Sequence, residues 1–310
     1  MLKNKQNNRQ NFSYHVYQKF IEGDESLCLI TKDNSESQYF KNELMLLDSN
    51  IEIIMFPESE ILPYDHFSVP EAVTKKRFKI INEFRDNKLI LITSFKNLFE
   101  FYPSNEFFKS FKRFNKYDHI SVTELTNILK SLDYEKKVNV SLINEYSVRG
   151  GIVDIFTPIY VNPLRIEIFD DKIESIRFFD KDNQLSIKTT ESFALSVGSL
   201  FSLNRKRIDN FINNWRNYFD EYDERNCEIF QNIKNNKIDE GIEIYFPFFF
   251  DDKSRFIDLF GEFNFLSTIN LNKEIENYND FIKQRYKDEN VDLRRPLIRP
   301  EDLFLEKNIV

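Results

Sequence analysis

Two stretches of this chain hold residues whose types and spacing could do chemistry. In LPYDHF, Asp65 and His66 adjoin as an acid and a base would, and in YSVRGGIVDIF, Tyr146 to Phe156, Arg149 stands against two adjacent glycines. Acid–base work requires both groups to reach one proton. Side chains of adjacent residues usually point apart, so Asp65 and His66 read as structural. His15 and His119 lie far away and form no group with metal-ligand spacing. Cys28 and Cys227 are too few and too distant for a disulfide framework or a zinc site, and they read as apolar filler in a reducing compartment. A phosphate loop needs glycines and a lysine followed by Ser or Thr. The first glycine is Gly23 and no such pattern follows. The carboxylates of DIFTP and EIFDD carry no sign of two acids converging. The residues therefore point to no catalytic group, metal or cofactor in this chain.

Arg149 is the more informative residue. The chain holds only six glycines, and Gly150 and Gly151 are side by side within a β-branched run. Glycine inside a strand marks a bulge or a close backbone approach, and a bulge here would re-aim Arg149. Downstream, LRIEIF and IESIRFF flank Asp170, Asp171 and Lys172, the composition of a hairpin turn. Strand alternation puts Arg165, Glu167 and Phe169 on one face and Ile166 and Ile168 on the other. The isoleucines are the core face, which leaves an arginine and a phenylalanine outside, two residue types enriched at interfaces. The competing reading covers Phe169 with the chain's own structure and pairs Arg165 with Glu167 or Asp170.

These residues need elements to hold them. YHVYQKFIE has helical spacing, SLCLIT is a buried-strand run, SESQYFKNELMLL a helix, IEIIMF a second strand and, after another helix, LILITS a third. Strand alternating with helix predicts a parallel α/β sheet. From about Phe107 the pattern changes to a helix, SVTELTNILKSL, and the β-rich KVNVSLI, YSVRGGIVDIF and paired LRIEIF and IESIRFF, a separate α+β module. Helices return in RKRIDNFINNWRNYFDEY and in 272–287, split by IEIYFPFFF and FNFLSTINL, whose aromatics read as core. The expected domains are 1–106, 107–195 and 196–310, the last packing on the first.

At 310 residues, with 41% hydrophobic residues, 33 Phe and 14 Tyr, the chain can bury more than one core. Neither a signal sequence nor a run of membrane-spanning length is present, which reads as a cytoplasmic protein with no membrane partner. A net charge of −8 opposes a broad grip on nucleic acid. Ser104 to Gln184 carries 12 basic and 13 acidic residues, a balance that suits protein contact better than phosphate contact. The cluster Arg205, Lys206 and Arg207 is the one local place where DNA contact is conceivable.

EYSVRGGIVDIFTP followed by PLRIEIFDDKIESIRFFDKDNQLS resembles the domain that UvrB shares with the bacterial transcription-repair coupling factors, through which each docks on the damage-recognition ATPase UvrA. FPESEILPYDHFSVPEAVTKKRFKIINEF, GIEIYFPFFFDD and DLRRPLIRPEDLFL are closer to the coupling factor than to UvrB, so the likeness runs over most of the chain. The resemblance implies a degenerate RecA/helicase-like parallel-sheet domain in two chain segments, interrupted by a smaller α+β UvrA-interaction domain. It implies that Arg149, Arg165 and Phe169 contact UvrA. UvrB's phosphate loop and DNA-clamping insertion have no counterpart, and STINLN, Ser267 to Asn272, stands where UvrB places a Mg-binding acidic pair. The full-length family protein binds RNA polymerase and translocates DNA with ATP and Mg in motor domains whose motifs are not found here, and the end soon after RPEDLFL suggests a fragment or truncated product. The expectation is thus a non-enzymatic, UvrA-recruiting module that links stalled RNA polymerase to nucleotide excision repair. The rival readings are a UvrB-like ATP-dependent helicase fragment and a direct DNA-binding protein.

Overall fold

The computed structural model describes residues 2–83, 88–104, 107, 108, 112–132, 134–196, 201, 203 and 205–304. The chain divides into two compact units, one built from residues 1–104 and 208–310 and the other from 105–207.

The first unit is an α/β structure on a four-stranded parallel sheet. Its first segment supplies helix α1 (Leu2–Glu22), strand β1 (Leu27–Thr31), helix α2 (Asn34–Leu47), strand β2 (Ile53–Phe56), helix α3 (Glu71–Glu83), strand β3 (Ile90–Ser94) and a short strand β4 (Phe101–Pro103). Every residue of β1 and β3 is buried, as expected of strands covered on both faces. Their apolar runs made them legible in the sequence. The helix found over YHVYQKFIE begins a dozen residues earlier, at Leu2, across an Asn- and Gln-rich stretch with no apolar stripe to announce it. The α3 side chain Arg77 is buried against Phe56 and Tyr102 and holds Glu100, Asn97 and the Pro57 carbonyl, so it ties the helix to the sheet.

The second unit, residues 105–207, contains strand β5 (Lys112–Asn115), helix α4 (Val122–Ser131) and strands β6 (Glu135–Lys136), β7 (Glu145–Arg149), β8 (Ile152–Ile155), β9 (Leu164–Phe169), β10 (Lys172–Phe179), β11 (Ser186–Thr189) and β12 (Ser192–Leu195). Ser121 and Glu124 form a reciprocal capping box at the start of α4. A six-stranded sheet runs in the order β11-β10-β9-β8-β7-β6, and β5 pairs with β12. Its inner face packs Tyr146, Val153, Ile155, Leu164, Ile166 and Ile168 against Leu125 and Leu129 of α4. KVNVSLI, predicted to be a strand, is a loop that follows β6 and keeps one ladder-like bond, from the Lys137 N–H to the Tyr146 carbonyl of β7 at 2.8 Å. Val138 and Leu142 are exposed, while Val140 joins Phe156 and Phe179 in a small second core.

The later chain segment returns to the first unit through helix α5 (Arg205–Tyr218), strand β13 (Lys253–Arg255), strand β14 (Asn264–Ser267) and helix α6 (Leu271–Glu289). Strand β14 pairs in parallel with β1, giving the order β14-β1-β3-β2, and β13 pairs with β4. The aromatic runs form a core in which Phe211 lies 4.9 Å from Phe249 and Trp215 5.2 Å from Tyr245.

Candidate docking face

The two adjacent glycines are a hairpin loop, which corrects the expectation of a bulge inside one strand. Arg149 ends β7 and Ile152 begins β8, and the two are directly paired across the strands. Gly150 has φ +61° and no atom near the position of a Cβ, the backbone that a II′-type two-residue loop asks of its first position. Gly151 serves a different end. A Cβ there would sit 2.4 Å from the Ile168 carbonyl oxygen, and its own carbonyl accepts from the Ile168 N–H at 2.8 Å. Close approach thus carries the β8–β9 ladder into the loop.

Across the sheet, Asp170 and Asp171 turn β9 into β10 with φ of 51° and 55°, the double positive φ of a I′ turn. Lys172, assigned to the turn by sequence, already belongs to β10 and faces Phe169. The Gly150–Gly151 loop and the Asp170–Asp171 turn therefore lie at the same end of the sheet, joined by the Gly151–Ile168 contact.

The outer face follows the alternation of β9, whose residues 164 to 168 run buried, half-buried, buried, half-buried, buried. Register aligns Ser147, Asp154, Arg165 and Arg177 in one cross-strand row, with Ile152, Glu167 and Ser175 in the next. The Asp154 side chain is only 1% exposed. Its carboxylate accepts from Arg165 Nε at 2.7 Å and Nη2 at 2.9 Å, a bidentate pair. It also accepts from Nη2 of Arg149. The Arg165 guanidinium stacks 4.6 Å from the ring centre of Phe179, in the small second core. Hydrogen bonding to Asp154 holds its pKa above the ordinary arginine value. Glu167 is taken by Arg177 and by Ser175 Oγ at 2.6 Å, rather than by Arg165.

The three residues singled out by sequence thus occupy different environments. Arg149 ends β7 with a side chain 48% exposed, Arg165 is held in the face at 16%, and Phe169, next to the β9–β10 turn, is 76% exposed. Among the described residues no strand or helix covers Phe169. Sequence reasoning did not single out Asp154, although a lone carboxylate between Val153 and Ile155 in a buried strand demands a cationic partner.

The first unit holds a second arrangement of functional interest. In parallel α/β sheets ligands bind beyond the carboxyl ends of the strands, and the turn from β1 into α2 is the place where a helix N-terminus would meet a phosphate. Here its donors are occupied by the chain's own acids. Lys32 N–H donates to Glu36 at 2.8 Å, Asn34 N–H to Glu58 at 3.1 Å and Glu36 N–H to Asp33 at 2.9 Å. Lys96 pairs with Glu58 at 3.0 Å, and Thr268, in STINLN, donates its hydroxyl to Glu36 at 2.8 Å.

Asp65 and His66 do not converge on a reaction centre. The Asp65 carboxylate accepts from the backbone N–H of His66, whose ring faces Arg295 at 3.0 Å and Glu289 at 3.4 Å. Among the described residues no group of three or more His, Cys, Asp or Glu could hold a metal, and no helix is long and apolar enough to cross a membrane.

The family described as the UvrB interaction domain matches residues 113–201. The chain is 27% identical over 287 residues to a transcription-repair-coupling factor of Haemophilus influenzae, covering 92% of this chain and 25% of that protein. It is 28% identical to the Escherichia coli protein of that name, over 90% of this chain and 24% of the relative, and 29% identical to that of Rickettsia typhi, over 80% and 22%. The chain thus spans about a quarter of the length of these curated relatives. Residues 113–201, which include both hairpins and the arginine pair, match the family described as the UvrB interaction domain, in a chain that resembles the transcription-repair coupling factors along most of its length.

Proposed function

We propose that this chain is the UvrA-recruiting portion of a transcription-repair coupling factor, linking stalled RNA polymerase to nucleotide excision repair. RNA polymerase and DNA would be engaged by the parts of such a protein that this chain does not span. The observation that carries the reading is Phe169. It is a large apolar side chain left bare beside the β9–β10 turn, on the same sheet face as Arg165 and beside the loop that follows Arg149, within the matched domain. Aromatic and arginine side chains are the usual anchors of protein interfaces. The chain works by recognition, without catalysis. Its nucleotide crevice has become scaffold, because the backbone donors that would cradle phosphate are bonded to Asp33, Glu36 and Glu58.

Calorimetric titration of the chain with purified UvrA tests this reading. Saturable binding is expected, with Phe169→Ala weakening it by about 2 kcal/mol, the hot-spot scale, and Arg165→Ala also weakening it, while circular dichroism stays unchanged. Failure of the unmodified chain to bind UvrA would refute it.

A further inference from the structure

Asp154 sits on β8, the middle strand of three, between two side chains turned into the core. The inner core has no use for its carboxylate, and burial of an unpaired charge is costly. What the carboxylate does is gather two cations from the strands on either side, Arg165 from β9 and Arg149 from β7. Both oxygens are used: Oδ1 accepts from Arg165, and Oδ2 from Arg165 and Arg149 together. Without this charge, two guanidinium groups of like sign would be directed at one spot and would repel each other. Arginine also has many rotamers, and immobilising one at an interface costs affinity. A side chain already fixed in the free protein avoids that cost.

We infer that Asp154 is a positioning residue of the docking face: although too buried to be touched by a partner, it sets the geometry of Arg149 and Arg165 before the partner arrives. The inference rests on the docking function proposed above. It assigns the arginines unequal parts. Arg165 spends Nε and Nη2 on Asp154 and turns Nη1 toward the Gln184 carbonyl at 3.4 Å. Arg149 gives Asp154 one Nη2 contact and keeps half its side chain in solvent. Arg149 is therefore the hydrogen-bond donor most available to a partner, and Arg165 is the more firmly held of the two.

The test is Asp154→Asn, which keeps shape and removes charge, measured by UvrA titration alone and combined with Arg165→Ala. Affinity about tenfold weaker is expected, the scale of re-immobilising rotamer-rich side chains. Loss of Arg165 should matter much less in the Asp154→Asn background than in the unmodified chain. Unchanged affinity, or losses that simply multiply, would overturn the inference, since a residue that only supports the fold predicts independence. A second readout needs no UvrA. In nitrogen-15 spectra of the unmodified chain, the Arg165 Nε–H is expected as a slowly exchanging resonance that loses its protection in Asp154→Asn. If the chain does not bind UvrA, the docking reading fails while this resonance still judges the positioning. Its absence from the unmodified chain would overturn the inference, including where Asp154→Asn does not fold.

Discussion

Replacing each loop glycine in turn separates the two demands that the RGG loop places on its sequence. Gly150→Ala adds a methyl group where there is open space, but at φ +61°. The cost is that of a left-handed L-residue, about 1–2 kcal/mol, and Gly150→Asn should recover part of it because Asn tolerates this conformation. Gly151→Ala has no such escape. The new Cβ lies 2.4 Å from a backbone carbonyl oxygen, and the same approach carries the Ile168 N–H bond of 2.8 Å. Moving β9 away forfeits about 1 kcal/mol of hydrogen bonding on top of roughly 1–3 kcal/mol of overpacking, so a loss of about 2–4 kcal/mol is expected. Ile168 immediately precedes Phe169, so the displacement would also carry the bare aromatic off its position. Urea denaturation of the three variants against the unmodified chain, with UvrA titration of those that remain folded, gives both readings. A Gly151→Ala variant no less stable than Gly150→Ala would refute the account of close approach, and native affinity in that variant would refute the link to Phe169.

Two further predictions concern the first unit. Glu36→Ala removes the acceptor of the Lys32 N–H and the Thr268 hydroxyl and takes an acid from the first turn of α2. It should cost about 1–2 kcal/mol, and a change within the roughly 0.5 kcal/mol of ordinary surface substitutions would show that these bonds are idle. Burial raises the carboxyl pKa of Glu243 above its ordinary value, even though Val69 N–H and Ser68 Oγ both donate to it at 2.9 Å. The native state therefore binds more proton here than the unfolded chain does, and this group's contribution to stability falls as pH rises from about 4.3 through the raised value. In Glu243→Gln that decline should vanish, so the unmodified chain loses stability relative to the variant across the window. A difference that is flat or that grows with pH would contradict the sign.

Much of this architecture was readable because burial and period coincide. Strands β1 and β3 are covered on both faces and appear as unbroken apolar runs, and the Ile166–Ile168 alternation of β9 gave the face of Arg165 and Phe169 directly. Reading failed where alternation had another cause. Of the valines and Leu142 that alternate in KVNVSLI, only Val140 is drawn into the small core, with Ile143 packed beside it, and no ladder keeps the backbone extended beyond Lys137. The glycine pair was misplaced because a two-residue loop and an in-strand bulge both call for Gly. Only the Arg149–Ile152 pairing, a tertiary fact, distinguishes them. Asp154, weighed only as an acid in DIFTP, was not linked to the arginines for a related reason, since its partners lie on two other strands and no local spacing connects the three.

Both sites rely on a carboxylate from the chain itself, with opposite consequences set by which donors remain. At the start of α2 the donors are backbone N–H groups, one per residue, and each bond to Asp33, Glu36 or Glu58 uses one up. Those three donors are thereby already taken. At the sheet face the donors are guanidinium groups with five N–H each, so Asp154 can hold two arginines and still leave donors on the outer side of Arg149. Burial completes the contrast, because the single negative charge lies beneath the surface while one of its cations reaches solvent. An acid that takes up backbone donors at one site can therefore order side-chain donors at another, because a guanidinium keeps further N–H groups that a single backbone amide lacks.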